Sequence, residues 1–257
     1  MKKAGIMRIF FRNFFLSIIA GFFVSSCGLE EVITIEEPTV TNHYPSYEDS
    51  NYLVWYFDFL TEDNDNSSES RYLGTDIYYK IYSNTTNLTS QKSSILAVNT
   101  ASNGSSASTR MIETYGYQPL GSSASTGNVV YVPAANSNRR VILRLKNYMD
   151  GDETIENYYE QNACVIIGGV LQSYIPYRYG NSKSFDFFDY DEDNTNGSRD
   201  VEPVDGDSDY YYNSTFTESD TYYVQLFAVG KAWNTDTCSA SYSLVLDLGS
   251  VPIRKGE

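Results

Sequence analysis

The residues able to do chemistry come first. The densest polar run sets Asp189, Asp191 and Asp193 at alternate positions, followed by Asn194, Asn196 and Asp200. A second alternation, Asp205, Asp207 and Asp209, comes soon after. Calcium takes six to eight oxygens, and alternating acids in a tight loop can supply several. Asn194 stands where the turn of such a loop wants glycine, and Asp200 stands where a bidentate glutamate closes the shell. The preferred reading is a solvated acidic loop, with calcium on Asp189, Asp191, Asp193 and Asp200 as the alternative and no other cofactor expected.

Aromatic rings are the other abundant resource, with 24 Tyr, 13 Phe and 2 Trp. Most must cover sheet faces, where aromatic residues are favoured. Tyr177, Tyr179, Tyr210, Tyr211, Tyr212 and Trp233 fall in or beside expected loops. They are the candidates for stacking on a sugar or gripping a protein, weighed against packing over the domain's own loops. Nucleophilic and metal chemistry is thinly supplied. His43 is the one histidine, and no G-x-S-x-G, phosphate loop or zinc motif occurs. Acids could serve a glycosidase, but no pair stands out from the solvated crowd. The formal net charge of −15 opposes nucleic-acid binding, which needs a positive field.

The start of the chain reads as an address. Lys2, Lys3, Arg8 and Arg12 precede an apolar run from Phe14 to Val24. That run is too short to span a bilayer and suits the core of a secretory signal. It ends in Val24-Ser25-Ser26-Cys27, which resembles a bacterial lipobox in the relaxed form found in spirochaete lipoproteins. The alternative is an ordinary secretory signal in which Cys27 is incidental. The resemblance implies removal of residues 1–26 and a membrane anchor of three acyl chains on Cys27, enough for firm attachment. Gly28 in place of aspartate favours the outer membrane. The leader takes four bases with it, so the mature chain is more acidic still and unsuited to lying flat on anionic lipid.

Residues 27–51 then read as lipidated cysteine and tether, with a possible edge strand at 32–35 and His43 solvated. Residues 52–257 read as one all-β domain. Strand patterns occur at 52–60, 74–84, 129–132, 139–148, 163–179, 221–230 and 241–251. Gly168-Gly169 marks a bulge or bend. Residues 84–128 are rich in Ser, Thr, Asn and Gly, and GSSAST occurs at both 104–109 and 121–126. They read as flexible connections, with a short helix starting near Thr89 or Ser90. Residues 186–212 are acidic and poor in apolar residues.

Four pieces resemble the B, C, F and G strands of a fibronectin type III domain. Leu53-Val54-Trp55 fits the L-x-W of the second strand, and Gly74 to Tyr79 is close to the third. Tyr222-Tyr223-Val224-Gln225-Leu226-Phe227-Ala228 matches the tyrosine-corner strand, with Phe216 six residues earlier and Glu218 where the family has proline. The last strand runs from Tyr242 to Val251. The resemblance implies an immunoglobulin-like β-sandwich around a buried Trp55. More than half of the chain separates Tyr79 from Tyr222, so a large insertion is expected at about 84–212. Export permits disulfides. A Cys164–Cys238 bridge would tie that insertion to the sandwich and stabilise it by ~4 kcal/mol, the alternative being two free thiols.

The function expected is that of a lipid-anchored envelope protein, non-catalytic, structural or protein-binding. A carbohydrate-binding module is the alternative, and a carboxylate glycosidase the third.

Overall fold

A computed structural model describes residues 35–62, 64, 70–122, 130–148, 159, 162–178, 183–187, 202–213, 221–235 and 237–254. Their strands are β1 (Thr39–Val40), β2 (Phe57–Leu60), β3 (Ser70–Tyr82), β4 (Gln118–Pro119), β5 (Gly121–Ser122), β6 (Val132–Pro133) and β7 (Arg140–Arg144). There follow β8 (Cys164–Ile167), β9 (Val170–Leu171), β10 (Pro176–Tyr177), β11 (Tyr210–Tyr211), β12 (Thr221–Asn234) and β13 (Ser239–Arg254).

The first sheet has the order β1-β2-β7-β8-β9, antiparallel throughout. The second is built on three long strands, with β12 antiparallel to both β3 and β13. The far edge of β3 is taken in turn by β6 at Gly74–Thr75, β4 at Tyr78–Tyr79 and β11 at Ile81–Tyr82. β5 and β10 form a separate short pair.

Alternation explains why the sheets face each other. Phe57 and Phe59 of β2, Val141 and Leu143 of β7, and Val165 and Ile167 of β8 point to one side. They meet Ile77, Tyr79 and Ile81 of β3 and Val224, Leu226 and Ala228 of β12 in one buried core. The chain is therefore an all-β sandwich at its centre. Trp55 joins this core and donates its Nε1 hydrogen to the Asp49 carbonyl at 3.1 Å. Leu53 sits on a short 3-10 turn, Tyr52–Val54, and not on β2.

The outer face of the second sheet carries a second core, roofed by a helical segment where flexible connections were expected. Helix α1 (Thr85–Leu96) starts earlier than predicted, because the Asn84 side chain accepts the Asn87 amide at its N-terminus. Its buried residues are Leu88 and Ile95, seven apart on one stripe. A short helix α2 (Ser106–Thr109) contains most of the first GSSAST copy, with Ala107 and Ser108 buried. It runs into a π-helical turn, Arg110–Thr114, that buries Met111. These residues cover Tyr78, Tyr82, Phe227, Val229 and Val245. The second GSSAST copy begins in β5 and otherwise lies outside the described residues.

Two further expectations change. The predicted strand 163–179 is a hairpin: Gly168 (φ 58) and Gly169 (φ 80) form the two-residue turn between β8 and β9. Successive positive φ values are what such a turn needs, and glycine supplies them without strain. The segment from residue 35 to 51, read as tether, is part of the domain. β1 pairs with β2, His43 Nε2 lies 2.9 Å from the Val54 and Tyr56 carbonyls, and the His43 ring stacks on Tyr56. The Pro45 carbonyl accepts the Ser250 amide at the outer edge of β13. The stretch between β3 and β12, expected as an insertion, supplies strands to both sheets.

Candidate functional site

The described carboxylates are mostly held by the fold. The most buried cluster begins with Arg178, which follows β10. Its Nε and Nη2 donate to the two oxygens of Asp209 at 2.7 Å each, and Nη2 also donates to Asp207 at 2.6 Å. The Tyr79 hydroxyl donates to the same Asp209 at 2.5 Å. Arg178, Asp209 and Tyr79 are all buried. Burial alone would raise the Asp207 pKa, but the Arg178 guanidinium and the Val204 amide outweigh it and hold the group below its usual value.

Asp76 forms a second cluster. Its carboxylate takes the Lys231 ammonium at 3.3 Å and the amides of Ile77 and Tyr131 at 3.2 and 3.3 Å. Desolvation nevertheless raises its pKa. Asp247 forms the third, with Gln225 at 2.7 Å, the Tyr44 hydroxyl at 2.6 Å and Lys92 at 3.6 Å. Asp58 holds Arg140 in a two-bond fork across the first sheet. These four clusters are joints between elements. Their acids face cations, amides and hydroxyls of their own chain.

Exposed aromatic and apolar side chains stand at both ends of the sandwich. The first end is made by residues 202–213. Asp209 pins this segment from below, and its carbonyl accepts the Ile81 amide, starting β11 along β3. Six rings connect it to the core. Tyr79 meets Phe185 at 5.1 Å and Phe185 meets Phe187 at 6.4 Å. Phe187 meets Tyr222 at 5.3 Å, Tyr222 meets Tyr210 at 5.8 Å, and Tyr210 meets Tyr212 at 6.2 Å. Tyr79 is fully buried, whereas Tyr212 is 48% exposed and Val204 is 52% exposed. The Tyr222 hydroxyl donates to the Glu202 carboxylate, so the residue matched to the tyrosine corner bonds a side chain of this same segment.

The second end holds the β12–β13 hairpin. Trp233 is 42% exposed and lies directly opposite Arg71 of β3. Of the aromatic candidates, Tyr177 is half-buried in β10 and Tyr179 lies outside the described residues. Cys27 and the calcium candidates Asp189, Asp191, Asp193 and Asp200 also lie outside them. Among the described residues, no three His, Cys, Asp or Glu could hold a metal, and no helix is long and apolar enough to cross a membrane.

The Cys164–Cys238 bridge is absent. Both thiols are free, Cys164 buried in β8 of the first sheet and Cys238 exposed at the β12–β13 turn of the second. Burial pushes the Cys164 thiol up to about 12.

Sequence reasoning missed Arg178 as the centre of the site, and with it the docking of 202–213. An arginine directly after the apolar run from Ala163 to Tyr177 was the one hint, since a buried cation needs anionic partners. Compared with protein-family models, curated proteins and solved structures, the chain matches none.

Proposed function

We propose that this chain is a lipoprotein of the bacterial cell envelope, anchored through Cys27 to the outer membrane, and that its sandwich is a non-catalytic binding domain for a protein partner. The observation that carries the binding role is the Tyr212 platform. Tyr212 and Val204 present apolar surface on a segment held by a buried ion cluster and a line of rings. Rigid aromatic anchors lose little conformational freedom on binding, which is why tyrosine is frequent at binding hot spots.

The strand pairing supports a fibronectin type III-like core. In immunoglobulin-like folds, strands B and E share one sheet while C, F and G form the other. Here β2 pairs with β7, and β3, β12 and β13 run together. The β8–β9 hairpin and the helical roof are this chain's own additions. The lipid anchor rests on the lipobox resemblance.

A photoreactive phenylalanine analogue at position 212, irradiated in intact cells, tests the role. A discrete protein adduct from 212, with none from the exposed Leu96 of the helical roof, is expected. Equal diffuse labelling from both would overturn it. The second reading, a carbohydrate-binding module, uses the same exposed Tyr212 ring, and an adduct of glycan in place of protein favours it. The third, a carboxylate glycosidase, needs two acids open to one substrate. Asp58, Asp76, Asp207, Asp209 and Asp247 are each engaged by other side chains, which ranks it last.

A further inference from the structure

The outer face of the second sheet brings a carboxyl and an amine together across two of its long strands. Asp76 of β3 stands opposite Val229 of β12, and Lys231 stands two residues further on, opposite Gly74. Side chains two apart on a strand share a face, so the long Lys231 side chain reaches Asp76 along the diagonal. Its Nζ lies 3.3 Å from Asp76 Oδ2. The two residues are 155 apart in sequence.

The second carboxylate oxygen has different partners. Asp76 Oδ1 accepts the Ile77 amide at 3.2 Å and the Tyr131 amide at 3.3 Å. One oxygen therefore faces the amine, while the other sits on two fixed N–H donors. Attack on a carboxyl carbon needs this arrangement, with donors placed where negative charge develops. Another donor stands beside them. Burial, the Asp76 charge and hydrogen bonding to Tyr242 and Asp76 all push the Tyr78 hydroxyl up, so it stays protonated.

The surroundings are closed and aromatic. The Asp76 side chain is 6% exposed and that of Lys231 is 16% exposed. The Tyr242 ring lies 5.9 Å from Lys231 Nζ, and Ile35 packs over the neighbouring Gly230. Desolvation raises the Asp76 pKa in spite of the ammonium beside it. Passing one proton from Lys231 to Asp76 leaves a neutral acid and a neutral amine in contact. Well-oriented groups held in this way reach effective molarities of ~10⁵–10⁸ M.

The other described acid clusters lack this combination. Asp58, Asp207 and Asp209 face arginine, which stays protonated and is no nucleophile. Lys92 is 3.6 Å from Asp247 Oδ2, and the Tyr44 hydroxyl already occupies that oxygen at 2.6 Å.

We propose that Asp76 and Lys231 condense to an intramolecular amide, a covalent cross-link between β3 and β12 made by the folded chain itself. The bond that forms joins Asp76 Cγ to Lys231 Nζ, and the bond that breaks is Asp76 Cγ–Oδ2. Oδ2 leaves as water with two protons from the Lys231 ammonium, so no oxidant or co-reactant is consumed. The Ile77 and Tyr131 amides hold Oδ1 while it carries the negative charge of the tetrahedral intermediate, and afterwards as the amide carbonyl. The step follows folding, because only the folded chain brings the two groups together. The newly folded chain keeps a titrating carboxyl, and the linked chain carries a neutral amide. The loop that it closes contains the helical roof and the 202–213 segment. This inference depends on neither the lipid anchor nor the partner.

Peptide mapping of the full-length protein, digested with trypsin in denaturant, tests it. The expected product is the Tyr72–Lys80 peptide joined to residues 200–254, lighter by one water than the two together and uncleaved after Lys231. Lys231→Arg keeps the charge and is expected to release Tyr72–Lys80 as a free peptide. Lys92→Arg is expected to leave the branched peptide in place. A free Tyr72–Lys80 peptide from the wild type, with cleavage after Lys231, would overturn the proposal. So would a branched Tyr72–Lys80 peptide that survives Lys231→Arg, since its bond would then lie elsewhere.

Discussion

Arg178 and Asp209, 31 residues apart in sequence, are fully buried and joined by two parallel hydrogen bonds of 2.7 Å. This pair fixes the segment that carries Tyr212 to the end of β10, and the Tyr79 hydroxyl on the same carboxylate ties it to β3. A buried charge that loses its partner keeps its desolvation penalty, so the joint fails steeply. Arg178→Met is expected to lower unfolding free energy by about 3–5 kcal/mol in urea titration with an unchanged slope. A loss below about 1 kcal/mol would show the cluster to be peripheral to stability.

Asp76 and Asp207 titrate in opposite senses. Asp76 is desolvated and its pKa is raised from 3.8, so the folded state binds the extra proton. Its contribution is therefore most favourable at low pH and declines as pH rises above the ordinary value. Asp207 is depressed below 3.8, so its contribution is present above that value and is lost as pH falls through the folded-state pKa. Relative to newly folded, unlinked wild type, Asp76→Asn should gain stability with rising pH, and Asp207→Asn should lose less in acid. Parallel pH profiles for both variants and wild type would contradict this assignment.

Gly74 has φ 139, and a Cβ there would collide with the Val132 carbonyl of the paired strand β6. Gly104 has helical φ and ψ of −45 and −40, with nothing near an added Cβ. Gly74→Ala is expected to destabilise by about 3 kcal/mol. Gly104→Ala is expected to stabilise by ~0.4–1 kcal/mol through the unfolded chain. Thermal melts of the two variants read both signs.

The thiols give a reactivity contrast. With the Cys164 pKa near 12, almost none of it is thiolate at pH 8. Cys238 is exposed. Native protein is expected to take one iodoacetamide at Cys238, and a second at Cys164 only in denaturant. No labelling in denaturant without reductant would show a bridge after all.

The long strands were legible because β3, β12 and β13 carry extended runs of aromatic and aliphatic residues, as strands covered on both faces do. The helical roof was not. Helix α1 anchors itself with only Leu88 and Ile95 among Ser, Thr, Asn and Gln, too sparse a stripe to read as a periodicity. The 202–213 segment looked solvated because its ties are single groups. Asp209 contributes to the ion cluster, and Tyr210 and Tyr222 contribute to the ring line. Such long-range pairs leave no local pattern. The same holds for Asn99, whose amide bonds both the N–H and the C=O of Val245 at 2.9 and 2.8 Å, closing an edge of β13 that nothing nearby in sequence announces.

The anchor is the premise on which the proposed location stands, and an intact-mass measurement of the full chain purified from membranes tests it most directly. The account predicts a protein that begins at Cys27 and carries a diacylglycerol and a third acyl chain there. A chain that begins elsewhere, with Cys27 unmodified or missing, would contradict it.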